Sequence, residues 1–530
     1  MDTIIRGVTI VDGSGKPAFV GDVGIQAGKL YVNPAGTRAD TVIDGTGKYL
    51  CPGFIDAHSH GDQILGQEQA KLSKVSQGIT TELAGQCGGS MFPVNEKTID
   101  MAKGLLSIGT LSFPEEMPQW VDGKSYFQWA RKVPLAANMK LFIGHTTLRI
   151  AVMGYDDRRP TAQELERMKA LVRDAMEQGA MGLSSGLIYA PGCYGDVEEL
   201  SELCKVVAEY NGFYATHMRS ESDFLVEAVE EALEIGRRSG AKVWISHHKA
   251  CGRANWGKIE KTLEMIDRAN AQGMEVTVDH YPYTANMTNL NIPIPPKYFD
   301  SEGVDGVVRM LSTPEGRARI RADMERKDCG YDNFYQNAGG FDGIFVSGCP
   351  GLLEADGKFV SDYAREIGKD PFDAYFDIIQ ANGGKANGIY YTISEEDLCR
   401  IIQDPNACVG TDGNCRSMEE KTHPRTFGTF PRAIRRYHKE LGLLSLEEII
   451  RKITSFPAQR AGLDNKGLIA DGYDADLVLF DYEKLTDRAD YLNSTALAGG
   501  IEAVFVNGEV VYRDGALTGA NPGRLIAHHK

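Results

Sequence analysis

The 530-residue chain has no stretch that approaches roughly eighteen consecutive apolar residues, which leaves no candidate for a membrane-spanning helix. Its first residues, Met1-Asp2-Thr3-Ile4-Ile5-Arg6, lack the basic segment followed by an apolar one that marks a secretory leader, and the chain reads as cytoplasmic. Ten cysteines are scattered with no CxxC pair or regular framework, so reduced core thiols are expected and a disulfide scaffold is not. Positive charge is also short: 57 Lys and Arg stand against 73 Asp and Glu, a formal net charge of −16. That argues against nucleic acid or an anionic membrane as partner, since both select clustered basic residues. Nothing in the pattern speaks to oligomeric state.

What is present reads as two textures. The first fifty residues are short aliphatic runs, such as Ile4-Ile5-Arg6-Gly7-Val8-Thr9-Ile10-Val11, broken by Asp-Gly and Ala-Gly turn signals. The far end repeats this texture in Ala475-Asp476-Leu477-Val478-Leu479-Phe480 and Ala503-Val504-Phe505-Val506. Neither end has enough strands for a sheet pair of its own, so residues 1–52 and 464–530 are expected to join in one small β-sandwich. Between them, in residues 53–463, strands alternate with helices, the signature of parallel α/β architecture. Helical stripes recur at Leu165, Met168, Leu171 and Ala175, at Leu225, Ala228, Ala232 and Leu233, and at Ile259, Leu263 and Ile266. Residues 285–396 break the alternation. That length is too great for a bare loop, and Ile292-Pro293-Ile294-Pro295-Pro296 forbids a regular helix there, so an insertion over the site is expected. His423-Pro424-Arg425 through Phe430-Pro431 reads as a second lid-like piece.

Eight of the strands end on polar residues: at His58-Ser59-His60, Gln86-Cys87, Gly144-His145, Ser184-Ser185-Gly186, Thr216-His217, Ser246-His247-His248-Lys249, Asp279-His280-Tyr281 and Gly410-Thr411-Asp412-Gly413. Eight parallel strands with intervening helices make a TIM (β/α)8 barrel, whose function sits at the C-terminal strand ends. Seven of the eleven histidines fall there. His58 and His60, two apart on a strand, point to one face and can offer two imidazoles to one ion. Alone a His-x-His is a weak signal, as a lone Cys is more often an inert core thiol and a Thr-Asp-Gly more often a turn. Adjacent His247 and His248 cannot both face the barrel interior, and Lys249 returns to the side of His247.

Pro52-Gly53-Phe54-Ile55-Asp56-Ala57-His58-Ser59-His60, the single-histidine strands, the closing Asp412 and the return segment Lys466-Gly467-Leu468-Ile469-Ala470-Asp471-Gly472 resemble the amidohydrolase superfamily of metal-dependent hydrolases. Gly85-Gln86-Cys87-Gly88, Gly182-Leu183-Ser184-Ser185-Gly186-Leu187, Thr216-His217-Met218-Arg219-Ser220-Glu221, Ile245-Ser246-His247-His248-Lys249 and His423-Pro424-Arg425 more narrowly resemble its N-acyl-D-amino-acid deacylases. The resemblance implies one tightly held Zn2+ on Cys87, His217 and His247, with His58, His60 and Asp412 as a weaker second position. It implies that Asp412 is general base and acid, taking a proton from the attacking water and giving it to the leaving amine. It also implies that Tyr281 and Arg400 hold the carboxylate of a small-molecule N-acyl-D-amino acid, hydrolysed to a carboxylate and a free D-amino acid, and the inward-facing Lys249 ammonium is expected to meet the same carboxylate. Arg400 follows Ser394-Glu395-Glu396-Asp397 in what reads as a helix start, where an arginine is usually solvated. Ring opening of a cyclic amide and a non-catalytic barrel are the alternatives. His248 is expected to pack, and His145 and His280 have no assigned role. The pocket walls are expected from the insertion and residues 184–191.

Overall fold

The computed structural model describes residues 1–36, 38–106, 120–299, 303–328, 330–413, 418–419 and 421–529. Eight parallel strands form the barrel: Phe54–Ser59, Ile79–Ala84, Asn138–Gly144, Gly182–Gly186, Phe213–His217, Lys242–Ile245, Val276–His280 and Ala407–Val409, hydrogen-bonded in chain order. These are the eight runs read from the sequence. Nearly every strand residue is buried, as a parallel sheet covered by helices requires. The last strand closes on the first through a parallel bridge between Ser59 and Gly413 and a hydrogen bond from the Asp412 amide to the His58 carbonyl at 2.8 Å. Inward-facing Ile55, Ala57, Leu83, Phe142, Met181, Phe213, Ala215, Trp244 and Cys408 fill the barrel, plugged by Phe456 and Leu463. The interior is a packed core, so the chemistry is confined to one end.

The helical stripes lie on the outer helices, where Met168, Val172 and Ala175 of Ala162–Glu177 and Ile259, Leu263 and Ile266 of Lys258–Ala271 are buried. Each helix is delimited by local chemistry. Thr161 and Glu164 form a reciprocal capping box at the start of Ala162–Glu177, and Gly240, left-handed at φ +78°, ends Leu225–Ser239.

The terminal segments, which the sequence suggests as one small β-sandwich, meet in one continuous nine-stranded sheet. Tyr49–Pro52 leads the chain out and pairs antiparallel with the returning Leu477–Phe480, with Tyr49 opposite Phe480 and Pro52 opposite Leu477. The sheet curls round Ile5, Val8, Val23, Ile25, Leu50, Leu477 and Phe505, so its wings share one core. Gly53 then turns the chain into the barrel: a Cβ there would lie 2.1 Å from the Thr80 hydroxyl, so no larger residue fits without displacement.

Residues 285–396 build a compact unit over the barrel mouth. Asn387–Tyr390 lies between Asn286–Asn289 and Ile344–Ser347 in an antiparallel sheet, backed by helices and a core that includes Leu290, Val307, Ile320, Phe341, Tyr375 and Ile379. Residues 300–302 and Cys329 of this unit lie outside the described residues. The segment read as a second lid is instead a buried helix, Arg425–Ala433, whose Phe430 ring stacks on Phe54 at 5.5 Å. Proline is tolerated in a first helical turn, and Pro424 precedes this helix without breaking it. The eight described cysteines form no disulfide, while Cys415, like Cys329, is outside the described residues. Among the described residues no helix is long and apolar enough to cross a membrane.

Candidate metal centre and active site

The polar strand ends converge on a cluster in which Cys87 is central. Its Sγ lies 3.3 Å from His58 Nε2 and 3.4 Å from His247 Nε2. Asp412 Oδ1 stands 3.5 Å from His58 Nε2 and 3.1 Å from His60 Nε2. The rings of His217 and His247 meet edge to face at 4.4 Å. Donor atoms of His58, Cys87, His247 and Asp412 all lie within 4.8 Å of one another, and His247 is shared with a second such group formed with His217 and Glu221. The two ligand sets expected from the resemblance therefore form one contiguous cluster.

Backbone strain marks the same positions. Nine described non-glycine residues have positive φ, and among them are Cys87 at +53°, His247 at +35° and Asp412 at +47°. Most of the others are turn residues of the Asn and Asp type that tolerate this region. Cys87 does not have that excuse, and left-handed residues that the surrounding fold holds in place cluster at functional sites. The hold is visible: Asp279 Oδ1 accepts the His247 amide at 2.8 Å and its Oδ2 accepts Trp244 Nε1 at 2.8 Å, while its Oδ1 also stands 3.3 Å from His58 Nδ1.

The donor set fits a zinc ion. Two ligands on one tetrahedral zinc, with bonds of about 2.3 Å to sulfur and 2.0–2.1 Å to nitrogen, lie roughly 3.5 Å apart, close to the observed Cys87–histidine separations. Neither ring nitrogen of the buried His217 makes a hydrogen bond, and Nε2 stands 3.7 Å from Glu221 Oε2, an expensive arrangement that a metal would relieve at one nitrogen. Burial pushes the Cys87 thiol up, but His58 and His247 outweigh it and hold the thiol well below its usual range, which favours the thiolate that metals bind. Asp412 behaves likewise: burial opposes its charge, and Arg425, His247, His60 and His58 together hold its carboxyl well below the ordinary range.

Of the residues expected to touch substrate, Tyr281 and Lys249 line the cavity above the cluster, about 100 Å³ in volume. The buried Tyr281 hydroxyl has no partner. Lys249 is already engaged, donating to Glu221 Oε1 at 2.5 Å and to the His247 carbonyl at 2.7 Å. Arg400 is not at the site. It lies on the outer helix Glu395–Gln403, about a third exposed, with Nε 3.1 Å from Glu260, because its helix packs on the barrel from outside. The arginine in the cavity is Arg425, whose NH1 is 2.8 Å from Asp412 Oδ2 and whose guanidinium carbon lies 4.7 Å from the centre of the Tyr281 ring.

The remaining histidines face elsewhere. His248 bonds Thr262 at 2.9 Å and His280 bonds Tyr437 at 3.1 Å, and burial lowers each to about 3, so both are neutral packing groups. His145 pairs with Glu199 at 2.8 Å, away from the cluster.

Sequence reading missed three supporting groups. Glu221 lies 2.9 Å from His247 Nδ1 and orients that ring, as carboxylates do for metal-binding histidines. Asp279 sits one residue before His280 and so faces inward. Lys74, fully buried on Glu68–Val75, donates to Asp56 at 2.7 Å, Ser59 and Thr411 at 2.9 Å, and the Gly413 carbonyl at 3.0 Å. It thereby fastens the residues on both sides of Asp412 to the strand that carries His58. Lys74→Met leaves Asp56 without its buried cation, and a loss of about 3–5 kcal/mol in stability is expected. A urea midpoint within error of the parent would show that the seam does not depend on this lysine.

Comparison with known proteins agrees with this geometry. Residues 41–512 match the Amidohydrolase family. A D-aminoacylase of Alcaligenes xylosoxydans xylosoxydans is 33% identical over 99% of this chain and 97% of its own length. An N-acyl-D-aspartate deacylase from the same organism is 35% identical over 99% of this chain and 95% of its own. The crystal structure of an N-acyl-D-glutamate deacylase from Bordetella bronchiseptica, complexed with zinc and a phosphonate mimic of the tetrahedral intermediate, superposes with a TM-score of 0.82 at 31% identity, covering 99% of both chains. With the family matched over most of its length, its relatives aligned end to end, and His60, Cys87, His217, His247 and Asp412 lining one cavity, the chain belongs to the amidohydrolase family of metal-dependent hydrolases.

Proposed function

We propose that the protein hydrolyses the amide bond of N-acyl-D-amino acids, releasing a carboxylate and a free D-amino acid, with a zinc ion held by Cys87, His217 and His247. His58, His60 and Asp412 provide a second, weaker position. The observation that carries the reading is the direct contact of one ionised carboxylate, Asp412, with the cysteine–histidine cluster, in a cavity that also holds Arg425 and the unpartnered Tyr281 hydroxyl. When bound, the metal supplies Lewis-acid polarisation of the scissile carbonyl and acidifies water.

The chain's own residues do the rest. Arg425 and Tyr281 bind the substrate α-carboxylate, the guanidinium as a charged fork and the phenol as a hydrogen-bond donor. Lys249, held by Glu221, adds a buried ammonium beside the Tyr281 ring, 5.7 Å from its centre. Asp412 accepts a proton from the attacking water at its carboxylate and delivers it to the amine nitrogen as the C–N bond breaks. Glu221 fixes the His247 ring, and Asp279 fixes its backbone. The insertion covers the cavity and excludes bulk water. A cyclic-amide reading is weaker, because Cys87 stands where a bridging lysine would favour it. A non-catalytic barrel does not explain why every candidate ligand is present and converges.

Three contacts fix the hand of the α-carbon: the carboxylate at Arg425, the acyl carbonyl at the metal and the side chain against the insertion. N-acetyl-D-amino acids are therefore expected to turn over while their L-enantiomers do not. Comparable rates for both hands in a panel of matched pairs would rule the reading out.

A further inference from the structure

We propose that the substrate's acyl group is a medium-length aliphatic chain, of the octanoyl kind, whose tail lies in a second cavity behind Tyr189. The inference rests on the deacylase reading and assigns its acyl subsite. The second cavity, about 260 Å³ against about 100 Å³ above the metal cluster, lies between the loop after the fourth barrel strand and the insertion. Its apolar lining includes Leu187 and Ile188 from that loop and Ile292, Ile294, Pro296 and Val304 from the insertion. Polar side chains in the same lining are already paired. Arg219 donates to Glu231 and to the Cys193 and Gly195 carbonyls, and Asp332 accepts from Ser220 and Ser222. Asn291 donates to the Gly384 carbonyl at 3.1 Å, and the Tyr331 hydroxyl to the Pro293 carbonyl at 3.2 Å. What these groups leave for a ligand is apolar surface.

Tyr189 lines both cavities, so it is their shared wall. Its ring meets the His217 ring edge to face at 5.1 Å, which sets it beside the metal cluster. Its hydroxyl bonds Thr288 Oγ1 at 3.2 Å, longer than the usual spacing of about 2.7–2.8 Å for two hydroxyls, so turning the phenol aside gives up one weak bond. The direction of the acyl group follows from the barrel. Tyr281 and Arg425, which take the α-carboxylate, follow the seventh and eighth strands, and in a ring of eight strands hydrogen-bonded in chain order the fourth stands across the mouth from the eighth. With the amide carbonyl at the metal and the carboxylate on one side, the acyl group points to the other, toward Tyr189. An acetyl group ends before that wall and leaves the second cavity unfilled, whereas a longer chain removes apolar surface from water on both partners.

The test compares N-octanoyl with N-acetyl compounds, in matched pairs built on D-alanine, D-methionine and D-glutamate, using the zinc-loaded protein. A fully buried methylene is worth about fourfold, so the six that separate the two acyl groups are expected to raise kcat/KM by at least about a hundredfold in the pairs that turn over. The gain should fall in KM, because the tail is held alike in the ground state and the transition state. Ile292→Trp and Val304→Trp each narrow the second cavity, and at least one is expected to erase about tenfold or more of the octanoyl advantage while the N-acetyl rate and the zinc content stay at the parent level. An N-octanoyl kcat/KM no higher than the N-acetyl value overturns the acyl inference and leaves the deacylase reading standing. A parental octanoyl-to-acetyl ratio in both variants does the same. Absence of turnover on every pair, with zinc bound, overturns both.

Discussion

Cys87→Ala is expected to strip the purified protein of tightly bound metal and to take its amidohydrolase activity with it. The thiolate is the one sulfur donor in the cluster, and it touches His58 and His247 at once. Its loss removes both a metal bond and the negative charge that balances the ion. Loss of a residue that merely orients a ligand typically weakens metal binding about 10- to 100-fold, so loss of a direct ligand should cost more. Cys87→Ser separates charge from size, since the hydroxyl occupies nearly the same volume but stays protonated at neutral pH. It should retain the fold and still bind metal poorly. Cys349, a buried cysteine in the insertion core, is the control, and Cys349→Ala should keep both metal and rate. Full zinc content and parental turnover in Cys87→Ala would remove the thiolate from the site.

This result depends on a feature of strand ends that sequence only partly exposes. The barrel was legible because each parallel strand is an apolar run that stops on a polar residue, and because helical stripes between the runs repeat at three and four. The candidate ligands are legible for the same reason: His58, Cys87, His217, His247 and Asp412 all stand where a run stops. Groups that act from between the strands were not. Lys74, within Glu68-Gln69-Ala70-Lys71-Leu72-Ser73-Lys74-Val75, reads as one more solvated helix lysine, yet it is buried and bonded to four acceptors. Its partners, Asp56, Ser59, Thr411 and Gly413, come from opposite ends of the barrel sequence, so the need for a cation there exists only once the barrel has closed.

The arginine failed for a different reason. Arg400 and Arg425 follow equally ordinary helix signals, and linear sequence does not say which helix looks inward. Ser394 caps the helix that holds Arg400 and leaves it facing Glu260, whereas the helix Arg425–Ala433 follows the eighth strand in the chain and places Arg425 in the cavity. In the sequence His423-Pro424-Arg425 through Phe430-Pro431 reads as a lid-like piece, but it forms a helix from Arg425, and a proline beside a helix start removes no hydrogen bond that the helix needs. Glu221 was visible within Thr216-His217-Met218-Arg219-Ser220-Glu221. Its role follows from the loop, which Asp332 of the insertion clamps by accepting from Ser220 and Ser222 and from the Glu221 amide at 2.6 Å.

Asp412→Asn is the substitution that separates binding of the metal from movement of the proton. The asparagine keeps the size of the side chain and an oxygen that can still approach Arg425, so the closing seam at Thr411 and Gly413 should stand. Cys87, His217 and His247 are untouched, and zinc should remain near the parent level. What is lost is a base able to take a proton and return it. An amine leaves a tetrahedral carbon poorly unless it is protonated, and His60 and His58, the nearest alternatives, already face the same cluster. A positioned proton carrier is worth about 10²- to 10⁴-fold, so kcat is expected to fall by that factor while KM, set mainly by Arg425, Tyr281 and the walls, moves little. Metal content and kcat must be read on one preparation, because a fall in both would reflect a lost ion. Full zinc with near-parental kcat would take Asp412 out of the mechanism and leave His60, 3.1 Å away and about 9 in its titration, as the next group to replace.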